Sequence, residues 1–366
     1  MSLITIACTN CGRVYPLDGT PYKCPVCGGV FDIPEPLPYD PSKIDPSRPG
    51  IWKYRHTFGL PDGAEAVSLG EGNTPLRWAD VLGRRVAFKC DYENPTGSFK
   101  DRGTSVIAGF LKSRGVREVV EDSSGNAGAS LAGYAPRAGI RARIYIPASA
   151  SGPKRDQIES YGAEVVPIPG TRGDVTTAVL KEAEKGAVYA SHAYLPFNLP
   201  GYATAAYEIY EQIGKMPAAV ITPCGQGGLL LGLARGFDAI RQSGQFVQMP
   251  KMIGVQARAC APMWVMSTVG MAGMGFVSEG QTLAEGVKVR TPVRGDALLK
   301  TVKSTQGSFV AVDEEHILRG RDELAHRGFS VEPTSALVWN ALEQVINDLE
   351  DPIVVLLTGA GFKSLI

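Results

Sequence analysis

No run of eighteen apolar residues occurs in this 366-residue chain, so no segment reads as a membrane-spanning helix. An excess of one charge is also missing. Lys plus Arg and Asp plus Glu number 37 each, which leaves no global field to attract nucleic acid or an anionic membrane, and neither is an expected partner. The stretch Met1–Ile6 lacks a basic segment followed by a long apolar one, so no signal peptide is expected and the expected compartment is the cytoplasm. No repeat period or low-complexity tract appears, which excludes a solenoid. Histidine is scarce: His56, His192, His316 and His326 show no metal-ligand spacing, and all four are expected to be ordinary. Of the seven cysteines, Cys90, Cys224 and Cys260 are scattered singly, as suits a reducing compartment.

The other four cysteines are clustered. Cys8-Thr9-Asn10-Cys11-Gly12 and Cys24-Pro25-Val26-Cys27-Gly28 are two knuckles separated by twelve residues, each offering two thiolates to one tetrahedral ion. This pattern reads as a closed structural Zn2+ site in a ribbon spanning residues 1–33, with two disulfides or a redox pair as the alternatives. Four protein ligands leave no coordination position for substrate. The ribbon is therefore expected to be an appendage whose loss spares cofactor binding. Prolines 34, 36, 38, 41, 46 and 49 suit an extended connector lying on the surface from Ile33 to Pro49, and a linker is placed over residues 34–67.

Beyond the linker, residues 68–366 alternate short apolar runs, glycine-bearing loops and amphipathic stretches, the mark of a parallel α/β fold. Strands are expected near 86–91, 118–122, 141–146, 163–167, 218–222, 252–256 and 353–358, and ligands gather at the carboxyl ends of such strands. Asn94-Pro95-Thr96-Gly97-Ser98-Phe99-Lys100-Asp101-Arg102-Gly103 follows the first of them. Ser98 reads as a helix N-cap with Asp101 as its capping partner. That places Lys100 in the first helical turn, where the helix dipole and exclusion of water disfavour its protonated form and let it condense with an aldehyde cofactor.

Three further loops follow strands. Asp122-Ser123-Ser124-Gly125-Asn126-Ala127-Gly128 opens a helix and makes a carboxylate cradle. Pro223-Cys224-Gly225-Gln226-Gly227-Gly228 suits a phosphate monoester at a helix N-terminus. Leu357-Thr358-Gly359-Ala360-Gly361 ends the last strand.

Together these segments resemble the threonine synthase branch of the fold type II pyridoxal-phosphate (PLP) enzymes, over roughly Ser68 to Lys363. The resemblance implies a two-lobed fold, with a smaller lobe near residues 105–205 and the zinc ribbon as an N-terminal addition. It also implies PLP as cofactor, Lys100 as its Schiff-base residue and catalytic base, and a homodimer. By position, Asn126 contacts the cofactor ring oxygen, Gly225, Gln226, Gly227 and Gly228 hold its phosphate, and Thr358 faces its pyridine nitrogen. Ser123, Ser124, Asn126 and Ala127 then form the substrate-carboxylate loop. The implied activity is that of a lyase of threonine biosynthesis, converting O-phosphohomoserine and water to threonine and phosphate.

Two departures weaken the match. Ala127 stands where a threonine is usual, and no arginine lies between Ser191 and Asn198 to clamp a substrate phosphate. A clamp is therefore expected from Lys154, Arg155 or Arg172. The alternatives are a serine or threonine dehydratase, a β-replacement enzyme acting on an O-activated serine, and a PLP-holding or zinc-ribbon binding protein without turnover. Glu332, before Pro333-Thr334-Ser335, reads as support for the last helix.

Overall fold

The computed structural model describes residues 4–245 and 248–364, so the first three residues of the stretch read for a leader lie outside it. Strands β1 (Ala7–Cys8) and β2 (Phe31–Asp32) pair antiparallel and carry the cysteine knuckles. The body continues with β3 (Leu76–Val81), β4 (Arg84–Cys90), α1 (Lys100–Ser113), β5 (Glu118–Glu121), α2 (Asn126–Ala138), β6 (Arg141–Pro147) and α3 (Pro153–Ser160). Next come β7 (Glu164–Ile168), α4 (Arg172–Glu184), α5 (Asn198–Ile213), β8 (Ala219–Pro223), α6 (Gly228–Ile240), β9 (Lys251–Ala257) and α7 (Pro262–Thr268). The chain closes with α8 (Gly295–Ser304), β10 (Ser308–Val312), α9 (Glu315–Ala325), α10 (Pro333–Val345) and β11 (Ile353–Leu357).

Two sheets organise these elements. The larger has the order β10-β9-β8-β11-β4-β3, parallel except for the antiparallel edge strand β3; the smaller is β5-β6-β7, all parallel. Helices cover the central strands on both faces, so β8 and β11 are buried at every position and read as unbroken apolar runs. Strand β3 runs along an edge with only Val81 buried and carries the exposed Trp78. Neither β3 nor β10 was expected from the sequence.

The order of the larger sheet decides where the special loops meet. Strands β8, β11 and β4 are neighbours, and from their carboxyl ends run the glycine loop, the Thr358 loop and the Lys100 loop. Strand β5 of the smaller sheet delivers Ser123–Asn126 to the same space.

The prolines of residues 34–49 are all exposed or partly so, as suits a connector on the surface, although Leu37 and Tyr39 turn inward; further along, Ile51, Trp52, Tyr54, Phe58, Leu60 and Val67 are buried. The Trp52 indole donates to Ser105 Oγ of α1 at 2.8 Å. A 3-10 helix over Gly50–Thr57 turns Ile51, Trp52 and Tyr54 inward, so the segment buries apolar area against the body.

The ribbon is also docked. Tyr15 packs edge-on against Phe31, Phe197 and Phe110, with centroids 4.7, 5.1 and 5.9 Å away, and Tyr22 packs against Tyr189 and Tyr194 at 5.3 and 5.4 Å. The buried Arg294 guanidinium donates to the Phe31 carbonyl at 2.8 Å and to those of Ala193 and Tyr194 at 2.5 and 2.9 Å. Arg235 of α6 pairs with Asp32 at 2.8 Å.

Candidate active site

The loop before α1 owes its shape to Gly97, at φ +81°, and to Asp101. The Asp101 carboxylate accepts from Thr96 N at 2.7 Å, Thr96 Oγ1 at 2.6 Å and Ser130 Oγ at 2.6 Å. The expected Ser98 cap is thus displaced. Phe99 occupies the N-cap position without a side-chain bond, and Ser98 Oγ is buried with no partner among the described residues. Asp101 closes the turn one step further back because Ser98 bridges Gly359 instead. Phe99 N donates to Thr358 O, and Ala360 N to Gly97 O, both at 3.0 Å. The buried Lys363 ammonium completes the clasp by donating to Thr96 O at 2.7 Å.

Lys100 is thereby placed in the first turn of α1 on a cavity of about 1190 Å3, which is roomy even for a cofactor and substrate together. Burial lowers its pKa to about 8, against the opposing pull of Glu121 and Glu332. The same cavity is lined by Ser123, Ser124, Gly125, Asn126, Ala127, Gly225, Gln226, Gly227, Gly228 and Thr358, so the four loops converge.

Each loop has its own support. A Cβ on Gly128 would lie 1.8 Å from the Ser123 carbonyl, so only glycine lets the first turn of α2 close beneath that residue. Gly227, at φ +76°, precedes α6, whose first amides are free to bind an anion. Gln226 departs from expectation in part. Its side chain accepts from Val293 N at 3.0 Å and holds the 285–293 segment, which leaves its backbone N–H for a ligand. Thr358 N donates to Ser335 Oγ at 2.9 Å, while Thr358 Oγ1 is buried without a partner among the described residues. A buried hydroxyl with nothing to bind fits a ring nitrogen placed against it, and the residues present fit PLP.

Among the residues nominated as a phosphate clamp, Lys154 and Arg172 line the cavity and Arg155 does not. Arg155 pairs with Glu159 at 2.9 Å. Lys154 lies 2.8 Å from Glu332, and Arg172 lies 3.2 Å from Asp122, so both cations are already paired. Lys288 and Arg290 also line the cavity, on its exposed rim.

Three site residues escaped the sequence reading. Glu332 does start α10, but its carboxylate also accepts from Asn126 Nδ2 at 2.7 Å, and a Cβ on Gly359 would lie 2.2 Å from its Oε1. The available signal was a glutamate at an N-cap position, where Ser, Thr, Asp or Asn is the usual choice. Glu121 and His192 are the others. His192, expected to be ordinary, lines the cavity with Nδ1 2.9 Å from Glu121 Oε1.

In the ribbon, Gly12 and Gly28 take φ of +70° and +71° as each knuckle turns. The four Sγ atoms lie within 4.8 Å of one another, with Cys8 and Cys27 3.5 Å apart and Cys11 and Cys24 3.7 Å apart. Tetrahedral bonds of about 2.3 Å to Zn2+ put sulfurs about 3.8 Å apart, so the thiolates fit one ion.

A family model described as pyridoxal-phosphate dependent enzyme matches residues 67–359. The chain belongs to that family. It is 32% identical to the threonine synthase of Methanocaldococcus jannaschii over 97% of this chain and 92% of the relative. It is 33% identical to that of Synechocystis sp., over 86% and 82%. Among solved structures, threonine deaminase from T.th. superposes with a TM-score of 0.67 at 26% identity, over 78% of this chain and 92% of that one. The processed threonine deaminase isoform 2 of Solanum lycopersicum gives 0.69 at 23%, over 94% and 95%, a likeness of fold. No described helix of this PLP-family enzyme is long and apolar enough to cross a membrane.

Proposed function

We propose that this enzyme is a lyase that removes an oxygen substituent from the side chain of a small amino acid, with threonine synthesis from O-phosphohomoserine as the leading reaction. The observation that carries this reading is the kinship with threonine synthases over nearly the whole chain. When bound, PLP supplies an electron sink for the bonds at the substrate α-carbon. The α6 N-terminus with Gly225, Gly227 and Gly228 would hold the cofactor phosphate, Thr358 Oγ1 would offer the ring nitrogen a neutral partner, and Asn126, steadied by Glu332, would hold the ring oxygen. Ser123 to Asn126 orient the substrate carboxylate. Lys100 would hold the cofactor through its aldehyde group, and its amine would accept and return the protons of the substrate carbons, a role suited to a group that ionises near pH 8. In the ribbon, the proposed ion is Zn2+.

A second reading is a hydroxyamino-acid dehydratase. It is favoured by Lys154–Glu332 and Arg172–Asp122, because carboxylates already neutralise the two nominated cations and leave a substrate phosphate only Lys288 and Arg290 on the exposed rim. Phosphate release from O-phosphohomoserine, measured beside ammonia release from serine and threonine, tests the two. Phosphate with threonine formation is the expected result. Ammonia without phosphate would move the reaction to dehydration.

A further inference from the structure

His192 stands just past a segment that runs alongside β5. Val120 N donates to Val188 O at 2.9 Å and Ala190 N to Val120 O at 3.0 Å, which brings His192 to the end of β5 where Glu121 is the last residue. Its backbone is pinned. Asn198 Nδ2 donates to the His192 carbonyl at 2.5 Å, and the guanidinium of Arg294 holds the next two carbonyls. With Nδ1 2.9 Å from Glu121 Oε1, the ring keeps one nitrogen, Nε2, for the cavity, where one-fifth of the side chain is open.

Glu121 itself is 1% exposed, and its second oxygen has no partner among the described residues. Lone carboxylates in such surroundings keep their proton. Burial first, then Asp122, pushes Glu121 well above the usual carboxylate range, while Arg172 and Lys100 oppose the shift. Burial, Lys100 and Arg172 push His192 well below its ordinary value. Tyr189 also faces Glu121 and holds Asp122 through its hydroxyl at 2.8 Å. The neutral arrangement puts the carboxylic proton on the Nδ1 side and a proton on Nε2, facing the cavity beside Lys100.

We propose that His192, steered by Glu121, donates its Nε2 proton to the oxygen that leaves the substrate side chain. The role rests on the second of the two lyase readings, the hydroxyamino-acid dehydratase, in which a hydroxyl is the leaving group. Lys100 accepts a proton from carbon and cannot supply one to oxygen at the same moment. As the C–O bond breaks, its electron pair stays on oxygen and takes the Nε2 proton, so a hydroxyl leaves as water. The pair left by the carbon proton becomes the new C=C bond. The carboxylic proton of Glu121 moves to Nδ1, so the imidazole stays neutral, and solvent later restores both sites. No oxidant or further reactant is needed.

Nitrogen-15 labelling of histidine leaves four imidazoles to assign, and His192→Asn identifies one by its loss. In the holoenzyme at pH 7, His192 should be a neutral ring protonated at Nε2. A ring protonated at Nδ1, or an imidazolium, overturns the proposal. His192→Asn should slow ammonia release from L-serine about 100-fold, yet slow turnover of O-phospho-L-serine less than about tenfold, because phosphate leaves without a donor. The cofactor absorbance should be unchanged, as a check on the fold. Equal losses on both substrates overturn the donor role and leave the lyase class standing. A wild type that acts on the phosphate ester but on no hydroxyamino acid overturns it too. No release from any amino acid refutes the lyase reading itself, and the proposal with it.

Discussion

An amine is a nucleophile only after losing its proton, and at Lys100 burial in the cavity wall brings that loss near neutrality. The same burial is a cost to the folded chain without cofactor. Unfolded, the lysine ionises at its ordinary value of 10.5; folded, at about 8. Between these values the unfolded state binds the extra proton, so stability rises with pH across that window, and below pH 8 the cost is fully present. Cofactor-free Lys100→Met should therefore be more stable than the wild type at pH 7, by about 2–3 kcal/mol once cavity water is allowed for. The gap should close towards pH 10.5. Denaturant unfolding of both proteins across pH measures it, and a constant gap would mean that Lys100 is well solvated. Lys100, Asn126 and Thr358 were legible in the sequence because each lies in a short loop directly after an apolar run. Glu332 and His192 were not, because their partners lie 206 and 71 residues away, and nothing local announces a pairing across such a distance.

Elements were legible to the extent that burial on both faces writes an apolar run. Strands β8, β9 and β11 follow that rule, whereas β3 is mostly exposed or half-buried along an edge and β10 opens on an exposed serine. What joins the elements was hidden in charged residues. Arg102, two positions after Lys100, is fully buried. It donates twice to Asp91 at 2.8 Å, and to Glu208 of α5 at 2.8 and 2.7 Å. Lys89 of β4 reaches the same glutamate at 2.7 Å. Two cations and two carboxylates thus tie β4, the Lys100 helix and α5 into one unit. Removing one member strands the others, so Glu208→Ala should cost about 3–5 kcal/mol in denaturant unfolding, and cofactor titration should show weaker binding because α1 loses its anchor. Unchanged unfolding would show that water enters and screens the cluster.

At the scale of the whole molecule, the ribbon was expected to be separable, and its contacts with Phe110, Phe197, Tyr189 and Tyr194 make it a buttress of the cavity wall. Cys8→Ser should lower the temperature of a single cooperative unfolding transition. Calorimetry alongside zinc analysis tests this, and a separate early transition with the body unaffected would restore the independent appendage. The knuckle spacing disclosed a metal site but not its dock, since the docking surface is assembled from residues far along the chain.

The clasp of Arg294 on the Phe31 carbonyl spans 263 residues. Ribosomes add about 5–20 residues each second, so the ribbon waits on the order of tens of seconds for the guanidinium that fastens it. During that interval the thiolates can close on a metal locally, and Tyr15 and Tyr22 gain their wall once Tyr189, Tyr194 and Phe197 are made. The nascent chain therefore carries a formed knuckle with a greasy underside, a natural handle for a chaperone, until synthesis passes Phe197, and the clasp follows later at Arg294.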